Sequence, residues 1–339
     1  MAAAHNPIDD FVVDASSIAY VGDSLERPEC ILAERDGSLW AADARGGVVH
    51  ISPDGSQRLI LQNLEGTRSG GTDEASRFVA GTLPNGLAFA RNGDVLIANF
   101  GTDRLEVMTR NGETRVLIDQ IDGAAIGKVN FVLRDSKDRL WLTISTKIKH
   151  WMNAISPSVA DGYIALYDGK TLRIVADGFR FTNEIRFDAR EEWLYIAETC
   201  GCRVTRMRVR GDGSLVDRQV FGPSDHRAFI DGIAFDSFGN LWGTHIFKDR
   251  LFAITPRGEL RIILDDDHDS EAGRNLMDAF KRDNVTPELI AATGGKIAPW
   301  FTSVTFGGAD LKTVYIGNLK SARVPYFRSP VSGLRMVHW

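Results

Sequence analysis

Short apolar runs alternate with polar turns along most of this chain, and few stretches hold the period of a helix. The runs are rich in β-branched and aromatic residues and are separated by DG, NG or acidic turns, a pattern that predicts strands. One motif recurs: a polar residue, an apolar run, a turn, then an apolar pair that is usually part aromatic. It reads ECILAERDGSLW at 29–40, NGLAFARNGDVL at 85–96, NFVLRDSKDRLW at 130–141 and NEIRFDAREEWLY at 183–195. DGIAFDSFGNLW at 231–242 is a fifth copy, and TSVTFGGADLKTVY at 302–315 a weaker sixth. Each copy supplies two strands, and the segment after it supplies two more, as RGGVVHISPDG does after the first copy. Six such units, roughly 45 to 75 residues apart, predict an all-β fold, a six-bladed β-propeller. It is expected to span 1–339 as one domain, with the segment around 11–20 pairing with the last blade to close the ring.

Two stretches break the period. The Gly-rich segment at 66–84 reads as a long loop. A helical insertion of about 265–299 falls between blades five and six: Ala272, Leu276, Met277 and Phe280 share one helical face, and Thr286-Pro287 reads as an N-cap followed by proline. Lid, dimer contact and surface excursion are equal readings of it.

The polar residues leading the copies are Glu29, Asn85, Asn130, Asn183, Asp231 and Thr302. A propeller starts its innermost strands at the rim of a central channel, so these six are expected to form a ring. Carboxylates and amides converging in a sheltered channel are costly unless hydrogen-bonded or cation-bound. Oxygen-only donors, two of them anionic, suit a hard divalent ion. Trp151, on the long loop after the third copy, is a candidate floor for a substrate pocket, with a surface aromatic as the even alternative. His226 and His245 bracket Asp231 but are more readily structural. Asp265, Asp267 and Asp269 imitate a calcium loop that then fails at Ser270 and Leu276, so a solvated acidic loop is the better reading.

RPEC at 27–30, KVN at 128–130, TNEIRF at 182–187, IDGIAFD at 230–236 and FTSVTFGG at 301–308 give the chain a family likeness. It resembles the gluconolactonase and regucalcin (senescence marker protein) family of six-bladed propellers from about residue 25 to the C-terminus. The resemblance implies one divalent cation in the channel, with Glu29, Asn183 and Asp231 as ligands and Asn130 reaching the metal or its bound water and substrate. It also implies a substrate contact for Lys128, where the family often has an arginine. Glu26-Arg27-Pro28 imitates the family's spacing of glutamate and proline, but strand register favours Glu29 over Glu26. Phe131 and Glu184 depart from the family's usual residues, which puts the familiar sugar-lactone substrate in question.

Composition narrows the partners. With 40 Lys plus Arg against 45 Asp plus Glu, the net charge is -5, so no basic excess exists to neutralise nucleic acid. No apolar run reaches the ~18 residues of a membrane span. The N-terminus lacks the pattern of a secretory signal, and Cys30, Cys200 and Cys202 are too few for a disulfide framework. Reduced, half-buried thiols in a cytoplasmic protein are expected, and a homo-oligomer is compatible with this. The sequence has no G-x-S-x-G elbow, H-E-x-x-H, P-loop or G-x-G-x-x-G.

The expected function is therefore a metal-dependent hydrolase opening a lactone or related cyclic ester. Asp231 is its general base, and Lys128, Asn130, Asn85 and Trp151 contact the substrate. Glu29, Asn130, Asn183 and Asp231 hold the metal, calcium first, with zinc, manganese or magnesium as alternatives. Rival readings are phosphotriester hydrolysis, a metal-free condensation like that of strictosidine-synthase-like propellers, and a non-catalytic calcium-binding scaffold.

Overall fold

The structure, a computed structural model, describes residues 5–64 and 81–339. Most of the Gly-rich stretch expected to loop between blades one and two therefore lies outside the described residues. Six four-stranded antiparallel sheets form the blades of a propeller. Their innermost strands are Ile31–Ala33, Pro84–Phe89, Val129–Arg134, Thr182–Phe187, Phe229–Phe235 and Phe301–Gly307. The ring closes as the N-terminal pattern predicts. Ala19–Val21 pairs with Val324–Arg328 as the outermost strand of blade six, and Phe11, just before it, packs on Trp242 and Phe327.

The repeated motif has a local cause. An acid follows the innermost strand in four copies, at Glu34, Asp135, Asp188 and Asp236. Asp236 shows what it does: Oδ1 accepts the N–H groups of Phe238, Gly239 and Asn240, each at 2.9 Å. Oδ2 accepts the Trp242 indole at 2.8 Å. Asp135 repeats this with Lys137, Arg139 and Trp141, and Glu34 holds Trp40 at 2.6 Å. The acid thus ties the turn and anchors an aromatic in the core by one carboxylate. The turn also needs a left-handed residue, supplied by Gly37, Gly93 and Gly239 at φ from +86 to +98°, and by Asp138 and Glu191 in copies three and four.

All six ring residues stand off the hydrogen-bonded ladder. In blades two to six the pairing of the innermost strand is interrupted at Asn85, Asn130, Asn183, Asp231 and Thr302. In blade one the strand begins only at Ile31, after Glu29. Such bulges turn a side chain out of the pleat, here toward the axis. The chain just past the ring is tightly packed: a Cβ on Gly232 would sit 2.4 Å from the Thr302 carbonyl, so only glycine lets these innermost strands approach.

The insertion holds two helices, α1 (Glu271–Lys281) and α2 (Pro287–Ala291). Leu276, Met277 and Phe280 are buried as expected, while Ala272 is only half-buried. The Thr286 side chain accepts the Leu289 N–H, as its N-cap role predicts. The acidic approach is structural: Asp267 accepts the Ser270 N–H, and Ser270 caps α1. The helices pack in one apolar cluster with Phe100, Ile155, Phe181, Phe229 and Phe247, so the insertion stands over the ring end of the channel. At the opposite end the tail crosses the base, with the Leu334 N–H on the Phe235 carbonyl and His338 beside the Ala33 carbonyl. Cys30, Cys200 and Cys202 are unpaired and fully buried rather than half-buried.

Candidate functional site

The six ring residues, with Arg27 and Thr199, form the polar base of one pocket enclosing about 520 Å3, part of it open to solvent. Phe100, Trp151, Phe181 and Phe247 stand among its apolar walls. A larger cavity, about 920 Å3, lies at the other end of the channel between the tail and the innermost strands, and no ring residue lines it.

The ring divides into struts and open oxygens. Asn85 donates from Nδ2 to the Asn130 carbonyl at 3.1 Å and accepts from Arg27 Nη2 at 3.1 Å, joining blades one, two and three. Thr302 donates to the Glu29 carbonyl at 2.7 Å, joining blades six and one. The other four residues each carry a buried oxygen with no hydrogen-bond partner: Glu29 Oε2, Asn130 Oδ1, Asn183 Oδ1 and Asp231 Oδ1. Asn183 is oriented by its own donor, which reaches Thr199 Oγ1 at 3.2 Å, and Thr199 in turn donates to the Ile230 carbonyl at 2.7 Å.

Buried polar atoms normally find partners, so four orphaned oxygens from four blades in one pocket call for a ligand. Burial pushes the Glu29 carboxyl well above its ordinary range; the Asp231 charge pushes the same way, and Arg27 opposes both. Asp231 is raised by burial and by the Glu184 charge, again against Arg27. Two carboxylates and two amide oxygens fit a hard, oxygen-binding cation, which would meet the orphaned atoms and relieve the repulsion between the acids. Among the described residues no three His, Cys, Asp or Glu side chains are grouped to hold a metal. The donor set here is half amide, which suits oxygen-seeking ions over thiolate-seeking ones.

Glu29 is buried on the pocket while Glu26 is exposed on the approach, in keeping with the strand register. Trp151 stands on the wall, within 6.1 Å of the Phe100 ring and 6.3 Å of Phe181. Lys128 does not line the pocket: its ammonium lies behind Phe100, on Asp103 at 2.9 Å and the Phe100 carbonyl at 3.1 Å. Buried chain and a local acid claim the charge that was expected to touch substrate. Glu184 points away from the pocket wall to Arg186 at 2.8 Å and the Ile233 N–H. His226 and His245 contact each other at 3.0 Å outside the pocket.

Arg27 was missed, although it belongs to the RPEC motif. It is the cationic side chain lining the pocket, and its φ of +55° turns it inward to Asn85. Phe100, Phe247 and Leu319 were missed as well. They lie 15, 16 and 17 residues after Asn85, Asp231 and Thr302, each just past the second strand of its blade. That offset within the repeat was the available signal.

A ring of six oxygen-bearing side chains at one end of the axial channel, two of them struts between blades, defines a propeller with a polar-based pocket at its rim. Its lineage is equally definite. The profile of the SMP-30/Gluconolactonase/LRE-like region matches residues 28–265, and the chain belongs to that family. Adipocyte plasma membrane-associated protein of Danio rerio is 30% identical over 170 residues, covering 47% of this chain and 40% of the relative. Its counterpart in Salmo salar is 25% identical over 231 residues, covering 65% and 53%. The matched chain thus spans about half the length of these curated relatives. Among solved structures, a gluconolactonase from Xanthomonas campestris superposes with a TM-score of 0.66 at 16% identity, covering 95% of this chain and 94% of that one. At this identity the likeness shows the fold. Among the described residues no helix is long and apolar enough to cross a membrane.

Proposed function

We propose that the chain is a lactone hydrolase that depends on a divalent cation, calcium first, held by Glu29, Asn183 and Asp231 with Asn130 beside them. The observation that carries this reading is the set of four buried, unpartnered oxygens on those residues. Membership of a family whose description includes gluconolactonase supports the lactone. A structural neighbour described as a calcium-binding regucalcin, from Agrobacterium tumefaciens, supports the ion (TM-score 0.64, 14% identity, 94% and 95% coverage). Zinc, manganese and magnesium are alternatives for the test.

When bound, such an ion polarises an ester carbonyl and makes coordinated water more acidic. The chain's own residues account for the rest. Asp231 accepts a proton from the attacking water, whose oxygen bonds to the carbonyl carbon. The ring C–O bond breaks, the alkoxide leaving group takes up a proton, and a hydroxy acid is released. Asn130 orients the reacting carbonyl. Arg27 holds a fixed positive charge next to the developing oxyanion. Asn85 serves mainly to hold Arg27 and Asn130 in place. The unpaired thiols support a reducing, cytoplasmic setting.

The test is lactone opening before and after chelation. EDTA is expected to abolish turnover and added calcium, manganese or zinc to restore it. Turnover indifferent to EDTA would assign the positive charge to Arg27 alone and favour the metal-free chemistry of related propellers.

A further inference from the structure

Building on the hydrolase reading, we infer that the pocket is built for a lactone or ester carrying an apolar substituent, aromatic or alkyl, rather than for a polyhydroxylated sugar lactone. The pocket is sorted into two zones. Its polar groups are confined to the base, and several are already used: Asn85 between Arg27 and Asn130, Thr199 between Asn183 and Ile230, Thr302 on Glu29. Above them the walls are Phe100, Trp151, Ile155, Phe181, Phe247 and Leu319, which offer no side-chain acceptor and only the Trp151 indole as a donor. A sugar lactone seated with its ester at the base would press several hydroxyls against this wall and leave them without partners, whereas an apolar substituent would leave water for matched surface.

The walls are also held in place, which argues against an incidental apolar rim. Among the described non-glycine residues in the left-handed backbone region, three are Phe or Trp: Phe181 at φ +58°, Phe247 at +68° and Trp300 at +67°. For bulky side chains this conformation persists only where the surroundings impose it, and it gathers at functional sites. Phe181 and Phe247 line the pocket, and Trp300 packs edge-on against Phe247 at 5.3 Å. Phe229 touches Phe247 at 5.9 Å and Phe280 of α1 at 4.8 Å, so the insertion between blades five and six braces the wall. The insertion's role is thereby that of a buttress for the substituent site.

The experiment compares δ-valerolactone, its phenyl-substituted and hexyl-substituted derivatives, and D-glucono-δ-lactone on the full chain with metal supplied. The substituted lactones are expected to exceed the unsubstituted one in kcat/KM by about tenfold or more, with gluconolactone the poorest. Phe247→Ala and Trp151→Ala are expected to narrow the ratio of substituted to unsubstituted to within roughly threefold, with melting curves confirming that each variant is folded. Gluconolactone as the best substrate, or an unchanged ratio in both folded variants, would overturn the inference. If no lactone is opened, the hydrolase reading fails separately, and binding decides: the phenyl-substituted δ-valerolactam, which resists hydrolysis, is then titrated against a polyhydroxylated lactam by tryptophan fluorescence. Tighter binding of the phenyl compound keeps the apolar site; equal or absent binding removes it.

Discussion

Asp231 and Asp236 lie five residues apart, near opposite ends of the same innermost strand, and both are buried. Burial raises both carboxyls, yet their surroundings could hardly differ more. Asp236 accepts three backbone N–H groups, the Trp242 indole and the Asn240 amide. Asp231 has an oxygen with no partner, in a pocket shared with Glu29 and two open amide oxygens. One acid is consumed by the fold; the other is held ready by it. Burial of a carboxylate is therefore uninformative here, and the hydrogen bonds left unmade carry the functional signal.

Substitution separates the two most sharply. Asp231→Asn is expected to lower kcat/KM by about a thousandfold while leaving the melting temperature of the cation-free protein unchanged or raised, because a repelling charge is removed. Asp236→Ala should do the reverse, costing about 3 kcal/mol in denaturant unfolding with kcat/KM of the folded protein intact. A variant pair with matched effects would erase the distinction.

Calcium and pH sharpen it further. In the cation-free chain, Glu29 and Asp231 bind protons more tightly folded than unfolded. Their contribution to stability is thus present below the ordinary carboxylate pKa of about 4 and is lost as pH rises toward the folded values. A cation needs both acids ionised, so the rise in melting temperature on adding calcium should grow from pH 5 to pH 8. A calcium effect that is flat across this range would contradict the shared site.

The buried histidine pair titrates with the opposite sign. His226 is lowered to about 4 and His245 well below its ordinary value, in both cases by burial first. Unfolded imidazoles gain protons below about pH 6.5, so the fold loses stability as pH falls from there toward 4. Replacing His226 by Phe should recover about 2 kcal/mol of it at pH 4.5 without altering lactone turnover. The smallest effect belongs to Lys128→Met, for which kcat/KM should stay within about threefold, the loss appearing as ~1 kcal/mol of stability through the unpaired Asp103.

The blades were legible because the fold writes much the same local device into them: a left-handed turn, an acid after the innermost strand in four, and in three of those an aromatic held by that acid. The ring was legible because the polar residue leading each run falls at one register, which also separated Glu29 from Glu26. Lys128 was misplaced because one-dimensional spacing cannot tell a residue on the pocket from one behind its wall, where Asp103 waits. Arg27 and the aromatic walls escaped for a related reason. Their positions depend on backbone turns with positive φ and on contacts between blades, as in Arg27 to Asn85 and Phe247 to Trp300, which leave little trace in a local hydrophobic pattern.

The central claim is that four open oxygens form a single cation site. Calorimetric titration of metal-stripped protein with calcium tests it directly. One ion per chain is expected in the unaltered protein, with the binding heat lost or greatly weakened in Glu29→Gln and in Asp231→Asn. Absence of any saturable heat with calcium, magnesium, manganese and zinc, or binding that survives both substitutions, would contradict it.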